Sequence, residues 1–187
     1  MLETDFLTQN AITKESMFTA LMRLMQEKSF SQISITEISQ KAGVSRMSYY
    51  RNYQSKEDII TTYLDELFDQ FISEVERNPH FNQHFGLTLF FLSCKQNELL
   101  IKNIIAHDLT ALISERLNLY LTFLLKHLYE NDGDHAIINP YLTEYLCGGL
   151  CKVAMVWVKN GMQESADEMV AIIEKLSHPL DKLVLDK

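Results

Sequence analysis

The chain has 187 residues, of which 47% are hydrophobic and 22% charged, a composition typical of a globular protein with a substantial core. Its formal net charge of −8 argues against a protein that coats nucleic acid over its whole surface. The N-terminal sequence lacks the features of a secretory signal, and no apolar run reaches the roughly 18 residues of a membrane span. Three cysteines, an odd number, favour a reducing compartment, so we expect a cytoplasmic protein.

Long stretches repeat apolar residues every three or four positions, and six glycines and three prolines are few, which predicts an all-α fold. A first helix is predicted over about 10–28. Two short helices should follow, one capped by Thr36 and ended by Gly43, the next capped by Ser45. Ser55 and Asp58 have the spacing of a capping box, which predicts a longer helix over 56–78.

Three helices are predicted between residue 82 and about residue 132, with breaks near Gln96 and near His107. The segment NDGDHAIINP, residues 131–140, is the clearest loop in this part of the chain. Two further helices are predicted over about 138–162 and 166–178, separated by Asn160 and Gly161. No stretch alternates polar and apolar residues for long enough to build a sheet.

Positive charge is concentrated between residues 28 and 56, which we call the basic segment. One acid, Glu37, lies among five cations, so the segment carries +4 and the rest of the chain −12; the cations are Lys28, Lys41, Arg46, Arg51 and Lys56. Such a segment is typical of a surface that faces a polyanion, and also of an ordinary solvated helix face.

The two short helices and the turn at Gly43 have the pattern of a helix-turn-helix unit. In such a unit the first helix braces the second, which requires apolar or small residues at Ile38 and Ala42. Val44 would fill the space between the helices. The second helix then presents its N-terminal residues to base edges in the major groove of DNA.

The segment ITEISQKAGVSRMSYYRNYQSKEDII, from Ile35 to Ile60, closely resembles the DNA-binding signature of the tetracycline-repressor (TetR) family of regulators. The shared features are the Ile-Thr entry, the Ala-Gly-Val-Ser turn, the three tyrosines and the Ser-Lys-Glu that opens the next helix. The resemblance covers about the first third of the chain. It implies an all-α protein with a helix-turn-helix DNA-binding domain at 1–55 and a helical regulatory and dimerisation domain at 56–187.

The resemblance also implies which residues meet DNA. Thr36 would bind a phosphate from the N-terminus of its helix, and Tyr50 and Lys56 would bind two others. Four residues would face the groove: Ser45, Arg46, Met47 and Ser48. Arginine is the preferred bidentate reader of guanine, and Met47 suits an apolar contact such as a thymine methyl. Helical phase predicts instead that Tyr49 and Tyr53 pack inward.

One helix-turn-helix unit covers too little DNA for tight binding, so we expect a homodimer that reads two half-sites. Candidate interface residues recur at helical spacing near the C-terminus: Tyr145, Gly148, Gly149, Lys152, Val153, Val156 and Trp157. The same spacing is compatible with a tightly packed helix pair within one chain. The resemblance favours an interface of four helices, two from each chain.

The central helices are predicted to hold a pocket for a small-molecule effector of unknown identity. Its candidate lining is rich in aromatic residues: Phe68, Phe71, Phe90, Cys94, His107, Tyr120 and Phe123, with Phe85, Phe91 and Tyr129 as further aromatic candidates and Asp108 as a further polar one. An aromatic stripe of this kind is equally compatible with an ordinary hydrophobic core.

No phosphate-binding loop, nucleophile elbow or HExxH motif is present, so neither an enzyme nor a cofactor is expected. Cys147 and Cys151 have a spacing of four that suits a redox pair or a soft-metal site, but also two buried, inert thiols. His80 and His84 have the same spacing, which suits a metal, but also two surface histidines. The sequence therefore predicts a DNA-binding transcriptional regulator, most simply a repressor. The alternative is a helical module that binds a ligand or a protein partner and has little affinity for DNA.

Overall fold

The computed structural model describes the backbone of residues 2–129 and 140–185, with side chains over 9–126 and 141–177. Within these ranges the chain forms nine α-helices and no strand, so the all-α prediction is confirmed. The helices are α1 (Leu2–Glu27), α2 (Ile35–Ala42), α3 (Arg46–Asn52), α4 (Lys56–Arg77), α5 (Gln83–Gln96), α6 (Glu98–Ala106), α7 (Thr110–Tyr129), α8 (Pro140–Lys159) and α9 (Ala166–Leu185). Of the helices in the described ranges, none is long and apolar enough to cross a lipid bilayer.

Most helix boundaries lie close to the predicted ones. The predicted breaks near Gln96 and His107 separate α5 from α6 and α6 from α7, as expected. The first helix begins earlier than predicted, at Leu2, and the last continues to Leu185. The loop predicted over 131–140 lies outside the described residues except for Pro140, which begins α8.

The N-terminal cap of α2 differs from the prediction. Ser34, not Thr36, caps this helix: its hydroxyl accepts a hydrogen bond from the Glu37 backbone N–H at 3.2 Å, and the Glu37 carboxylate accepts one from the Ser34 N–H at 2.9 Å. Because the helix begins at Ile35, this Ser-x-x-Glu pair forms a capping box and Thr36 lies inside the first turn. Hydrogen bonds from Lys28 and then from Ser34 lower the pKa of Glu37 to about 2.

The other predicted caps are confirmed. Ser45 accepts from the Ser48 N–H at 3.1 Å and begins α3. Ser55 and Asp58 form the capping box of α4, in which the Ser55 hydroxyl accepts from the Asp58 N–H at 3.1 Å. Gly43 ends α2 with a φ of +68°, a left-handed conformation that glycine adopts without steric cost.

The helices pack around two apolar cores. The N-terminal core joins α1, α2, α3 and the first half of α4, and it also takes Leu100 and Ile104 from α6. The C-terminal core joins the second half of α4 to α5, α7, α8 and α9, around Phe91, Leu117, Trp157 and other buried residues. Phe68 and Ile113 pack against both cores. Helix α4 therefore belongs to both halves of the molecule.

Buried polar contacts reinforce the packing of α6 against the N-terminal half. The side-chain amide of Asn103, which is 5% exposed, donates a hydrogen bond to the Met22 carbonyl at 2.9 Å. At the end of α6, His107 Nδ1 accepts from the Phe30 N–H at 3.3 Å, and Nε2 lies 2.8 Å from the Met25 carbonyl. Since Nδ1 is an acceptor, the proton is on Nε2, and one neutral imidazole connects two backbone groups of the N-terminal half.

The cap of α2 gives a direct test of the fold. Ser34→Ala should lower the free energy of unfolding by about 1 kcal/mol, because a backbone N–H of the first turn loses its partner. Thr36→Ala should change it by less than about 0.5 kcal/mol, since Thr36 is exposed and does not cap the helix. Urea unfolding of both variants beside the parent measures the difference. Equal losses in the two variants would contradict the assignment of the cap.

Candidate functional site

The helix-turn-helix unit is assembled around two buried tyrosines, Tyr49 within α3 and Tyr53 at its C-terminal cap. Tyr49 is 0% exposed and Tyr53 4%, and their ring centroids lie 5.9 Å apart in the N-terminal core beside Ile38. The prediction that both pack inward is confirmed. Burial raises the pKa of Tyr49 to about 12, so its phenol stays neutral at physiological pH. With these rings inside, the opposite face of α3 is turned to solvent.

The exposed face of α3 carries the residues expected to meet DNA. Met47 is 77% exposed and Tyr50 52%, and Arg46 lies on the same surface. An Arg46 guanidinium nitrogen donates to the Tyr50 hydroxyl at 3.2 Å, and the guanidinium carbon lies 5.8 Å from the centre of that ring. The hydroxyls of Ser45 and Ser48 are 3.0 Å apart at the helix start. A cation and three hydroxyls therefore share one face, together with an apolar side chain.

The cations of the basic segment are more extensively paired than the sequence suggested. Lys28 forms an ion pair with Glu37, within the segment. Lys41 lies 2.6 Å from Glu27, an acid of α1 that the count of charges over 28–56 leaves out. The local excess of positive charge is correspondingly smaller than +4, which weakens the electrostatic argument for a polyanion but leaves the geometry of α3 unchanged.

Lys56, predicted to bind a phosphate, contacts the protein's own backbone in this structure, which contains no DNA. Its ammonium donates to the Phe30 carbonyl at 2.7 Å and to the Ile33 carbonyl at 2.8 Å, and it lies 4.7 Å from the centre of the Phe30 ring. These carbonyls belong to the short stretch between α1 and α2, which lies outside the α-helical hydrogen-bond pattern. The lysine therefore fastens the start of α4 to that stretch.

A cavity of about 300 Å³ lies between α5, α7, α8 and α9. Phe90 and Tyr120 line it, as expected for an effector pocket. Apolar residues form most of the remaining lining: Gly86, Leu87, Leu121, Leu124, Leu125, Leu142, Leu146, Gly149, Leu150, Val153, Ile173 and Leu176, with Gln83, Tyr145 and Ser177. Tyr120 is 4% exposed, and its hydroxyl has no hydrogen-bond partner among the described residues.

The other residues predicted for the pocket lie elsewhere. Phe68 and Phe71 pack behind Tyr120, with ring centroids 5.5 Å and 4.5 Å from its ring. Cys94 is buried in the C-terminal core, and Phe123 packs against the same core without lining the cavity. His107 lies at the junction of α6 with the N-terminal half, because both of its nitrogens are engaged there. Tyr129, a further candidate, falls beyond the described side chains.

The residues predicted for a dimer interface divide between two faces of α8. Tyr145, Gly148, Gly149, Lys152 and Val156 are exposed, and Val153 is half-buried. Trp157 is 2% exposed; its indole N–H donates to the Glu164 carbonyl at 3.1 Å, and its ring lies 5.5 Å from that of Phe91. Trp157 is therefore part of the intrachain core, as the alternative interpretation of the spacing allowed, and it is not available to a partner.

Sequence reasoning missed the part that α8 plays in the cavity. Three of the proposed interface residues, Tyr145, Gly149 and Val153, also line it. The signal was present in the sequence, since Leu142, Leu146, Gly149 and Val153 recur at three and four residues along one helical face. All the candidate residues of α8 were assigned to a dimer interface because the sequence does not show that α8 packs beside α5 and α7.

The three cysteines lack the exposure of reactive thiols. Cys94, Cys147 and Cys151 are all buried, and the Cys147 thiol donates to the Ser114 carbonyl at 3.3 Å. Burial raises the pKa of Cys94 and of Cys151 to about 12, so the reactive thiolate is scarce at neutral pH. Over 9–126 and 141–177, no three residues among His, Cys, Asp and Glu come together as a metal site.

Two family models match this chain, one over the helix-turn-helix and one over the C-terminal helices. Residues 17–62 match the family described as "Bacterial regulatory proteins, tetR family", and residues 82–179 match the "Transcriptional regulator C-terminal region" of TetR proteins. The solved structure of Lin0861 from Listeria innocua is similar at a TM-score of 0.78 and 17% identity, over 92% of this chain and 93% of that one.

Two characterised regulators are similar over part of their length. The chain is 30% identical over 78 residues to the HTH-type transcriptional regulator EthR of Mycolicibacterium smegmatis, an alignment that spans 38% of this chain and 36% of EthR. It is 23% identical over 100 residues to DhaS of Lactococcus lactis, the dhaKLM operon transcriptional activator, over 54% of this chain and 52% of DhaS. The aligned part is thus about a third to a half of each relative.

A helix-turn-helix with an exposed α3, followed by a helical domain with a cavity, is the arrangement of a transcriptional regulator, the class that both family matches describe. The match at residues 82–179 alone covers more than half of the chain. The protein belongs to the tetR family of bacterial regulatory proteins, in which a DNA-binding N-terminal domain precedes an effector-binding C-terminal domain.

The position of Lys56 generates a prediction that separates its two possible roles. Lys56→Ala should lower the free energy of unfolding by about 1–3 kcal/mol, because two backbone carbonyls lose a charged donor. Lys41→Ala is the matched control and should cost less than about 1 kcal/mol, since its pair with Glu27 is on the surface. Urea unfolding measures both. Unchanged stability of Lys56→Ala, with a weaker salt dependence of DNA binding, would favour the phosphate role instead.

Proposed function

We propose that this protein is a homodimeric repressor that binds operator DNA through α3 and whose affinity for DNA changes when a small molecule occupies the C-terminal cavity. The observation that carries the proposal is the exposed face of α3, where Arg46, Met47 and Tyr50 lie together on a helix held rigidly by two buried tyrosines. A recognition helix needs both properties, because its side chains gain specificity only when the backbone beneath them is fixed.

The proposed contacts divide by their chemistry. Arg46 would read a guanine, and Met47, as the most exposed apolar side chain of α3, would meet a thymine methyl. Thr36, in the first turn of α2, and Tyr50 would hold phosphates, and Ser45 and Ser48 would face the groove beside Arg46. The hydrogen bond from Arg46 to Tyr50 orients both groups before DNA arrives, which lowers the entropic cost of binding.

The proposed dimer would form through the outer face of α8 and α9. Five large apolar side chains are exposed there: Tyr141 (81%), Tyr145 (62%), Val156 (46%), Ile172 (40%) and Leu176 (61%). Gly148 and Gly149 lie on the same stretch of α8, and no atom lies within 4 Å of where a Cβ on either would project. Exposed apolar side chains beside glycines are suited to close approach of a second chain.

The proposed coupling between cavity and DNA runs through α4. Tyr120, which lines the cavity, contacts Phe68 and Phe71 of α4, and the same helix begins at Lys56 beside the helix-turn-helix. A helix of 22 residues is about 33 Å long, so a small tilt at its C-terminal half displaces the DNA-binding unit by several ångströms. In a dimer, the separation of the two DNA-binding units must match the helical repeat of DNA, about 34–36 Å. A displacement that changes this separation would therefore change the affinity for the operator.

A second candidate function is favoured by the pairing of the cations. Lys28, Lys41 and Lys56 are engaged within the protein, so less positive charge faces outward than in the unpaired sequence. A helical module that binds a ligand or protein partner with little DNA affinity fits that observation. The two functions differ in a binding assay with DNA from the protein's own promoter region, in which a regulator prefers that DNA to random duplex.

The role of α3 is tested by Arg46→Ala. We expect a loss of about 1–3 kcal/mol in binding to the cognate site and little change on random DNA, because a bidentate base contact distinguishes one base pair. Tyr50→Phe is the companion variant and should weaken binding to all sequences, since a phosphate contact carries no base information. Fluorescence anisotropy with labelled duplexes measures both. Equal losses for Arg46→Ala on cognate and random DNA would show that Arg46 does not read a base.

The dimer is tested at Gly148, which is exposed and does not line the cavity. Gly148→Leu should yield monomer, because a large side chain would hold the two copies of α8 apart, whereas the isolated fold has room for it. Gly148→Ala is the matched control and should stay dimeric, with a helix strengthened by up to about 1 kcal/mol. Light scattering of the purified variants gives the masses. A dimeric Gly148→Leu variant would move the interface to another surface.

A further inference from the structure

We infer that the C-terminal cavity is completed by a second copy of this chain, which closes an opening between α8 and α9. A small molecule in the cavity is then enclosed by residues of both copies. The inference rests on the proposed function in one respect, that the homodimer forms through the outer face of α8 and α9. It adds that the second copy forms part of the effector site.

The opening lies between α8 and α9. Among the described residues, α8 packs mainly against α6 and α7, and α9 packs against α5, whereas direct contact between α8 and α9 is slight. The two helices meet near their connecting turn, where the Trp157 indole donates to the Glu164 carbonyl. Farther from this turn, residues between positions 142 and 153 of α8 and between 173 and 177 of α9 line the cavity. A gap between the two helices therefore lies beside the cavity.

Three residues at this gap both line the cavity and face solvent. Tyr145 is 62% exposed and Leu176 61%, and Gly149 is also exposed. Around the axis of α8, Gly149 lies between Val153, which lines the cavity, and Gly148, which is exposed and does not line it. The outer face of α8 is therefore continuous with the cavity lining, and apolar surface is open to water where the two meet.

The charges on the outer face of α8 indicate that the cover is a second copy. Glu144 and Lys152 lie four residues before and four residues after Gly148, and all three are exposed. Neither charged residue forms an ion pair with another residue of the described ranges. In a two-fold symmetric pair of α8 helices that cross antiparallel at Gly148, Glu144 of each copy faces Lys152 of the other. The face is thus complementary to itself in charge.

The position of the opening has a consequence for ligand exchange. In a single chain, a molecule can reach the cavity through the gap between α8 and α9. In the dimer, the second copy covers this gap, so a molecule passes through it only when the two copies separate or shift. Access to the cavity therefore depends on the association of the two chains.

The opening is tested with a thiol placed inside the cavity by Val153→Cys. Val153 is half-buried and lines the cavity, and the three native cysteines are buried, so the parent gives the background rate with N-ethylmaleimide. We expect the introduced thiol to react at least about tenfold faster in the monomer, obtained by adding Gly148→Leu, than in the dimer, because exposure controls the rate. Equal rates in the two states would overturn the inference.

Two controls connect the rate to the opening. Ser31→Cys places a thiol on an exposed position between α1 and α2, and its rate should be the same in the monomer and the dimer. The native thiols should keep the parental rate after Gly148→Leu, which shows that the core has not loosened. Dilution of Val153→Cys below its dimer Kd gives a monomer without the second substitution, and this arm decides the outcome if Gly148→Leu disturbs the fold.

An exchange of charges tests the identity of the cover. Lys152→Glu and Glu144→Lys should each raise the dimer Kd at least about tenfold, and the double exchange should restore it, because opposite charges again face each other. The hydrogen bond from Asn118 to Glu144 is lost in the double exchange as well, so a recovery reports on the pair between copies. Lys159→Glu, also exposed on α8, is the matched control and should leave the Kd unchanged. A double exchange that stays monomeric would overturn this contact and the cover that it provides.

Light scattering over a range of concentrations separates this inference from the proposed function. A parent that is monomeric throughout would reject both the homodimer and the inference. A dimer in which the thiol introduced by Val153→Cys reacts as fast as in the monomer would keep the homodimer and overturn the inference alone. A Gly148→Leu variant that remains dimeric would place the interface on another surface and leave the opening uncovered, which also overturns the inference.

Discussion

The short stretch between α1 and α2 imposes the constraint on which the rest of the structure depends. Two of its residues, Phe30 and Ile33, lie inside the N-terminal core, so the backbone groups there need hydrogen-bond partners. Two are carbonyls that accept from Lys56 of α4, and one is an N–H that donates to His107 at the end of α6. The stretch also makes two backbone hydrogen bonds of its own, from the Gln32 N–H to the Ser29 carbonyl and from the Ile33 N–H to the Phe30 carbonyl. Residues far along the chain add the contacts from Lys56 and His107.

The two halves of the molecule are connected by helices that pack into both apolar cores or between them. Helix α4 contributes to both apolar cores, and α6 inserts Leu100 and Ile104 into the N-terminal one. The hydrogen bond from the buried Asn103 amide to the Met22 carbonyl is costly to break, since neither group would find a water molecule there. The DNA-facing surface and the cavity are therefore joined by two helices with fixed ends and not by a flexible linker. The predicted division at residue 55 stays a prediction, because the N-terminal core continues past it.

Local patterns were sufficient to predict much of this fold from the sequence. Glycine at a left-handed turn, serine caps and helical spacing act over a few residues, and they placed α3, α4 and the breaks around α6 correctly. The cap of α2 was misplaced because Ser34 and Thr36 are both good capping residues, and only the carboxylate of Glu37 distinguishes them. The partners of Lys56, His107 and Trp157 lie outside local patterns: those of Lys56 are 26 and 23 residues away, and those of His107 are 77 and 82 residues away. Spacing identified Trp157 as a packing residue, but it does not say whether the neighbour belongs to the same chain.

The distance along the chain between Met22 and Asn103 has a consequence for synthesis. A ribosome makes the protein from its N-terminus, so the helix-turn-helix sequence emerges long before α6 does. Until residues 100–104 are available, the nascent N-terminal core lacks two of its buried side chains, and the Met22 carbonyl lacks the Asn103 amide. A chain interrupted before α6 would expose an apolar surface where that helix belongs. The DNA-binding unit is encoded first, but it becomes complete only after more than half of the polypeptide has been translated.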